Sequence, residues 1–328
     1  MNPFKFTRVN DNRSAVSEGS AVNGSKFIAG GTNLIDLMKL NIENPKQVID
    51  INNLNLNEIK ILPSGNVMIG ALVKNSDLAY HPEISKRYPV LSEAILAGAS
   101  AQLRNAASTG GNLMQRVRCY YFYDTQFPCN KREPGSGCSA IPGYNRDHAV
   151  LGTSEYCIAT HPSDMCVAMA ALGAIIHVQG LKGSRTVPFA DFHLLPGKTP
   201  HLEHNLKKGE LITAVELPAL SYASKSHYLK ARDRASYQFA LSSAAVALDV
   251  QNGTVKSARI ALGGVGTKPW RSVNAENALI GKPANVESYK AAAEVALAGA
   301  KPYKNNGFKI DLCKRTLVQA LTKVGGMI

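Results

Sequence analysis

Residues 29–36 read AGGTNLID, and residues 107–115 read ASTGGNLMQ. In both, a Gly-Gly pair sits among small residues, with an asparagine and an apolar residue close behind. The first pair ends a strand-like run, KFIAG, and precedes a helix-like one, LIDLMKL. Glycine lets backbone come close to a ligand, and free N–H groups at a helix start attract phosphate. Thr32 or Asn33 can cap that helix or bond a phosphate oxygen. One such loop alone reads more simply as a turn with a cap. Two suggest two phosphates held from two sides, as in a diphosphate. No G-x-G-x-x-G is present, so a dinucleotide bound here requires a fold other than the Rossmann type.

Outward from these loops the chain mixes strand and helix signals. QVIDI, IKIL and VMIGALV read as strands. PVLSEAILAGASAQLR reads as one helix with Ser92 as its N-cap. Residues 174–217 offer three more strands: AIIHVQG, SRTVPF and LITAVELP. A domain boundary is expected in PALSYASK, between Pro218 and Lys225. Beyond it, SHYLKAR, SSAAVALDV and SARIALGGV are strand-like, and VESYKAAAEVALAGA and IDLCKRTLVQALTKV are helical. Strands followed by helices predict a small α+β domain.

The chain has 328 residues, 45% hydrophobic and 19% charged, which suits two ordinary globular domains. Net charge is +13, and a basic surface implies an acidic partner. Lys and Arg are scattered without a run or tail, so nucleic acid is not the expected partner. The N-terminal MNPFKFTRVNDNRS has no apolar core of a signal peptide. The longest apolar stretch, MCVAMAALGAII at 165–176, is too short to span a bilayer, so no membrane insertion is expected.

Residues 115–160 are different: aromatic, turn-rich and carrying Cys119, Cys129, Cys138 and Cys157. A loop of this length inside a compact domain is usually functional or disordered, and its composition argues against disorder. The spacings C-x9-C, C-x8-C and C-x18-C lack the close pairs of zinc ribbons. An iron–sulfur cluster needs four thiolates but no fixed spacing. Disulfides, and zinc with help from His148 or His161, stay open. Arg116, Arg118, Lys131 and Arg132 lie near in sequence, where positive charge favours thiolate. Cys166 and Cys313 fall in apolar helical patterns and read as buried small hydrophobes. Ser163-Asp164 reads as a helix cap or as a carboxylate for a sugar hydroxyl. Lys230, on a strand, matters only if that strand faces a cofactor. No Ser/His/Asp triad or carboxylate pair is present, and no catalytic residue is assigned.

AGGTNLIDLM and ASTGGNLMQ resemble the two diphosphate-binding loops of the FAD-binding subunits of the xanthine dehydrogenase and molybdenum hydroxylase family. THPSDMCVAMAAL, GELITAVELP, YLKAR and IALGGVGTKPWR with AENALIGK continue the likeness in order, over nearly the whole chain. Within the family it is most similar to the bacterial periplasmic aldehyde oxidoreductase type. The resemblance implies α/β + α+β: a two-subdomain FAD-binding domain of the vanillyl-alcohol oxidase-like (PCMH) type at 1–218, with subdomains 1–55 and 56–218, then a molybdenum-hydroxylase flavoprotein domain at 225–328. Lys26, Phe27, Ile28, Ala29, Gly30, Gly31, Thr32, Asn33 and Leu34 would hold the diphosphate from one side, and Thr109, Gly111 and Asn112 from the other. Asp164 would meet sugar hydroxyls, and Ile212 and Lys230 would lie at the adenine or isoalloxazine end. Many relatives carry an acidic residue where Asn33 stands.

A few members of the family carry a cysteine-rich insertion that binds a [4Fe-4S] cluster, which implies Cys119, Cys129, Cys138 and Cys157 as ligands. The implied function is electron relay in an aldehyde oxidoreductase, aldehyde to carboxylate. The implied partners are a large molybdenum cofactor subunit and a small [2Fe-2S] subunit, as a heterotrimer, with an external electron acceptor. Export to the periplasm would depend on a signal-bearing partner; the cytoplasm is the other expectation. The rival reading is a basic binding module with structural zinc or disulfides.

Overall fold

The computed structural model describes residues 1–326, arranged around three sheets. In the first, strands Lys5–Arg8 and Ser25–Ile28 flank Gln47–Asp50, all parallel. Parallel neighbours need crossovers, and helices Asn12–Ala21 and Leu34–Lys39 supply them. The central strand is buried at every position, as a strand covered on both faces should be. The N-terminal strand and first helix were not foreseen. The helix carries an explicit start signal, Asp11 accepting from the Ser14 amide at 2.8 Å.

The second sheet is antiparallel. Its strand order is Ile59–Ile61, Val67–Gly70, Leu211–Leu217, Ile175–Gly180 and Gly183–Pro188. The chain leaves it after Gly70 and returns at Ile175. That excursion contains five short helices, the cysteine-rich loop and helix Asp164–Leu172. PVLSEAILAGASAQLR forms two helices, Pro89–Ala97 and Ala101–Ala106, parted where Ala99 takes φ +51°. Ser92 is no cap: it is buried inside the first helix, where its hydroxyl donates to the Ala79 carbonyl at 2.6 Å. The N-terminal cue is Pro89, whose fixed φ suits a first turn.

The third sheet is antiparallel, with Ser242–Gln251 and Thr254–Gly263 between Trp270–Arg271 and Ser226–Ala231. It is covered on both faces, and its strands alternate accordingly. Tyr228, Ala245 and Ala261 join the core around helices Pro89–Ala97 and Asp164–Leu172. Ala244, Val246, Ile260 and Leu262 join a second core under helices Val273–Leu279, Val286–Ala296 and Phe308–Val324. Helix Asp164–Leu172 is buried at all positions, which explains its uniformly apolar sequence. No helix among the described residues is long and apolar enough to cross a membrane.

Candidate functional site

The two glycine loops meet. A Cβ on Gly30 would lie 2.0 Å from the Ala106 carbonyl oxygen, so only glycine permits the approach. Gly31 has φ +70°, a conformation side chains resist. Two cavities, of about 510 and 820 Å³, open from this waist, and Gly30, Gly31, Thr32, Asn33, Ala107 and Gly111 line both. The amides of Gly30, Gly31, Thr32, Asn33 and Leu34 donate to no protein atom among the described residues. Successive free N–H groups of this kind form an anion cradle. Asn33 lends its Oδ1 to the Arg116 amide at 2.9 Å, and its buried Nδ2 has no partner. An amide donor there suits a phosphate better than a carboxylate would.

The second loop acts differently. Its amides are already engaged: Thr109 with Val73, Gly110 with Ala71, and Gly111 and Asn112 with Ser108. It supplies shape and close approach rather than free donors. Thr109, expected among the diphosphate contacts, is fully buried, gives its hydroxyl to the Val73 carbonyl and lines neither cavity. Asn112 lines the larger cavity and ties the loop to the next block, its Oδ1 accepting from Ser163 Oγ at 2.6 Å.

The remaining candidates divide between the two ends. Lys26, Phe27, Ile28, Ala29, Leu34 and Ile212 line the smaller cavity. Asp164 and Lys230 line the larger, beside Tyr120, Tyr123, Tyr237 and Phe239. Asp164 is not a free acceptor. It takes Tyr228 Oη at 2.5 Å and pairs with Lys230 Nζ at 2.7 Å, the side chains of the ion pair both largely covered. Burial and then Asp164 push the Tyr228 phenol well above its ordinary range. Lys230 also caps the helix ending at Ala97, donating to its carbonyl at 3.1 Å. Breaking a buried ion pair strands the other charge. Lys230→Met is therefore expected to destabilise the protein by about 3–5 kcal/mol, read as a fall in Tm. An unchanged Tm would show that Asp164 is not buried with its partner.

All four clustered cysteines line one small void, with Val117, Phe122, Ala140 and Ala159. Strand-like pairing of Cys129 with Cys138 brings two of them together, and the short helix Tyr120–Tyr123 follows Cys119. None of the six cysteines is in a disulfide. A tetrahedral zinc site, with Zn–S about 2.3 Å, would hold its sulfurs roughly 3.8 Å apart. No three of these four sulfurs lie within 4.8 Å of one another. Four sulfur donors around one void are the set that an iron–sulfur cluster would take. Of the nearby basic residues, Lys131 does favour a thiolate at Cys157, but burial outweighs it. Arg116 is paired with Glu43 and Glu203, and Lys131 with Glu203. Arg132 donates to the carbonyls of Tyr121 and Phe122. Burial instead pushes the Cys119 thiol up to about 12 and Cys157 to about 11.

Cys166 and Cys313 are fully buried in helices. Cys166 does lie near His161 and His193, all three ligand atoms within 4.8 Å. The tautomers argue against a metal there. His161 Nδ1 accepts from the Ser163 amide, which puts its proton on Nε2, and His193 Nε2 donates to the Leu113 carbonyl, leaving Nδ1 bare. One buried donor and one buried acceptor remain, and these are complementary to each other.

A waist between two cavities, reached without a Rossmann turn, suits an extended dinucleotide-like ligand; the sandwiched third sheet is appended to the domain that forms it. Residues 2–220 match the FAD binding domain in molybdopterin dehydrogenase, and residues 226–324 the CO dehydrogenase flavoprotein C-terminal domain. The chain belongs to the FAD-binding subunits of the molybdenum hydroxylase family. It is 51% identical to the aldehyde oxidoreductase FAD-binding subunit PaoB of Escherichia coli K12, over 98% of each chain. It is 29% identical to the glyceraldehyde dehydrogenase medium chain of Sulfolobus acidocaldarius, over 88% of this chain and 84% of that one. Among solved structures, carbon monoxide dehydrogenase from Hydrogenophaga pseudoflava superposes with a TM-score of 0.77 at 26% identity, over 99% of both chains. Family membership makes the chain part of an oxidoreductase, and the binding-module reading gives way.

Sequence reasoning missed the aromatic wall of the larger cavity at Tyr237 and Phe239, which no local pattern marked. It gave Tyr228 no role, although period-two alternation along YLK puts Tyr228 on the face of Lys230.

Proposed function

We propose that this chain is the electron-transfer subunit of a molybdenum-containing aldehyde oxidoreductase, holding FAD between its glycine loops and a [4Fe-4S] cluster on Cys119, Cys129, Cys138 and Cys157. The observation that carries it is the waist: five unengaged amides at Gly30–Leu34 beside the Gly30–Ala106 approach, with a cavity on either side. When bound, FAD takes up and releases one or two electrons, and the cluster one. This chain's residues do the holding. Residues 30–34 would receive the diphosphate, and the smaller cavity, floored by Ile212, would receive the adenine. The larger, with Lys230 and the aromatic wall, would receive the isoalloxazine. The aldehyde class rests on the 51% likeness to PaoB.

The same reading includes a large molybdenum cofactor subunit, a small [2Fe-2S] subunit, an external acceptor and a periplasmic setting. Co-purification tests it: the tagged chain should bring down two further subunits with aldehyde-oxidising activity. Recovery of an active flavoprotein without partners would instead indicate a free-standing flavin oxidase.

The net charge of +13 is expected to serve that assembly. Contacts between opposite charges across an interface speed association and weaken with salt. Association of the separated subunits should slow as ionic strength rises. Rates indifferent to salt would remove this explanation of the charge.

A further inference from the structure

His148 lies opposite Cys119, its Nε2 3.1 Å from the Cys119 Sγ. The contact is held from outside the cysteine loop. The His148 carbonyl accepts from Lys309 Nζ at 3.0 Å and from Asn306 Nδ2 at 3.2 Å. Both donors belong to the C-terminal region, where Lys309, on the last helix, is fully buried. The His148 amide donates to Asn145, and Asn145 exchanges hydrogen bonds with Asn305. The imidazole packs between Tyr120 and Tyr121, with ring centroids 6.5 and 6.4 Å away. A buried ring fixed this firmly, its Nδ1 without any partner, is positioned for its one contact.

The geometry points to His148 as a positioning residue that donates Nε2–H to the Cys119 thiolate and so raises the reduction potential of the cluster. The inference rests on the cluster reading above. A ligating thiolate carries no proton and can only accept, so Nε2 must be the donor. Hydrogen bonds to cluster sulfurs are among the determinants of potential. Their direction follows from charge: reduction adds one electron and no proton, and a donor stabilises the more negative state. Asn306 and Lys309 act one step back, by holding the His148 backbone.

The test is an EPR-monitored redox titration of the protein as purified with its partners. A fast-relaxing [4Fe-4S] signal is separable by temperature from those of [2Fe-2S] centres. His148→Phe keeps ring volume and removes the donor; the cluster midpoint should move to a more negative value at unchanged iron content. His148→Gln places an N–H near the same spot and should restore most of the shift. A midpoint unmoved in His148→Phe with full iron overturns the inference. If that variant loses iron, the wild type decides: pulsed EPR of the reduced cluster should show a proton coupling that disappears in D₂O and a ¹⁵N coupling on histidine labelling. Absence of both overturns it. Wild-type protein without acid-labile sulfide would overturn the cluster reading itself, and this inference with it.

Discussion

Gly30→Val protein is expected to purify without flavin while keeping its secondary structure. The new Cβ would meet the Ala106 carbonyl oxygen at 2.0 Å, far inside any tolerated contact. Backbone, unlike a flexible side chain, cannot swing away, so the two loops must separate at the waist where the diphosphate would pass. Overpacking of this kind costs about 1–3 kcal/mol. Charged entirely to the bound state, that is roughly a 5–150-fold loss of affinity. Gly31→Val adds the strain of a side chain at φ +70° and should behave alike. Gly111→Val should be milder, since its Cβ would meet only the Ser108 hydroxyl, at 2.9 Å. The check is flavin-to-protein ratio beside far-ultraviolet circular dichroism. Full occupancy in Gly30→Val with native dichroism would refute the placement of the diphosphate.

The second large effect concerns iron. Serine in place of Cys119, Cys129, Cys138 or Cys157 is expected to cut cluster iron and open residues 115–160 to proteolysis. These four sulfurs share one void, and the loop around them has little helix or strand of its own. Four thiolates saturate a [4Fe-4S] cluster. Flavin should persist, because the free amides at residues 30–34 lie outside the loop. Cys166→Ser and Cys313→Ser should keep the cluster iron and lose modest stability, since both thiols are packed in hydrophobic cores. Metal analysis after anaerobic purification distinguishes the sets. Equal iron loss from Cys166→Ser and Cys129→Ser would contradict the ligand assignment.

Most strands were legible, because alternation and β-branched content act locally. The helix pair at 89–106 was not. Its break is marked by Gly98, which ends the first helix, and by Ser100, whose hydroxyl accepts from the Leu103 amide at 3.3 Å to cap the second, but both small residues also suit a continued apolar pattern. The Gly-Gly motifs marked both loops, but the sequence could not tell their roles apart. Whether an amide is free depends partly on distant partners: Val73 and Ala71 occupy those of Thr109 and Gly110, Ser108 takes those of Gly111 and Asn112, and none reaches the first loop. The same holds for Asp164. A cap and a sugar contact were both readable, whereas its pairing with Lys230 and Tyr228, 66 and 64 residues away, is set by packing of the third sheet. The cysteines were visible at once as a group. Their convergence on one void could be expected only through family likeness, since irregular loops carry no period from which to read position. Arg116 shows the limit of proximity in sequence, for it is spent on Glu43 and Glu203 rather than on sulfur.

The most direct test of the central claim is to release the flavin from purified protein with acid and identify it by chromatography. Two cavities joined by a phosphate-binding waist predict a dinucleotide, so the released flavin should be FAD, at about one per chain. Colourless protein, or FMN in place of FAD, would contradict the account.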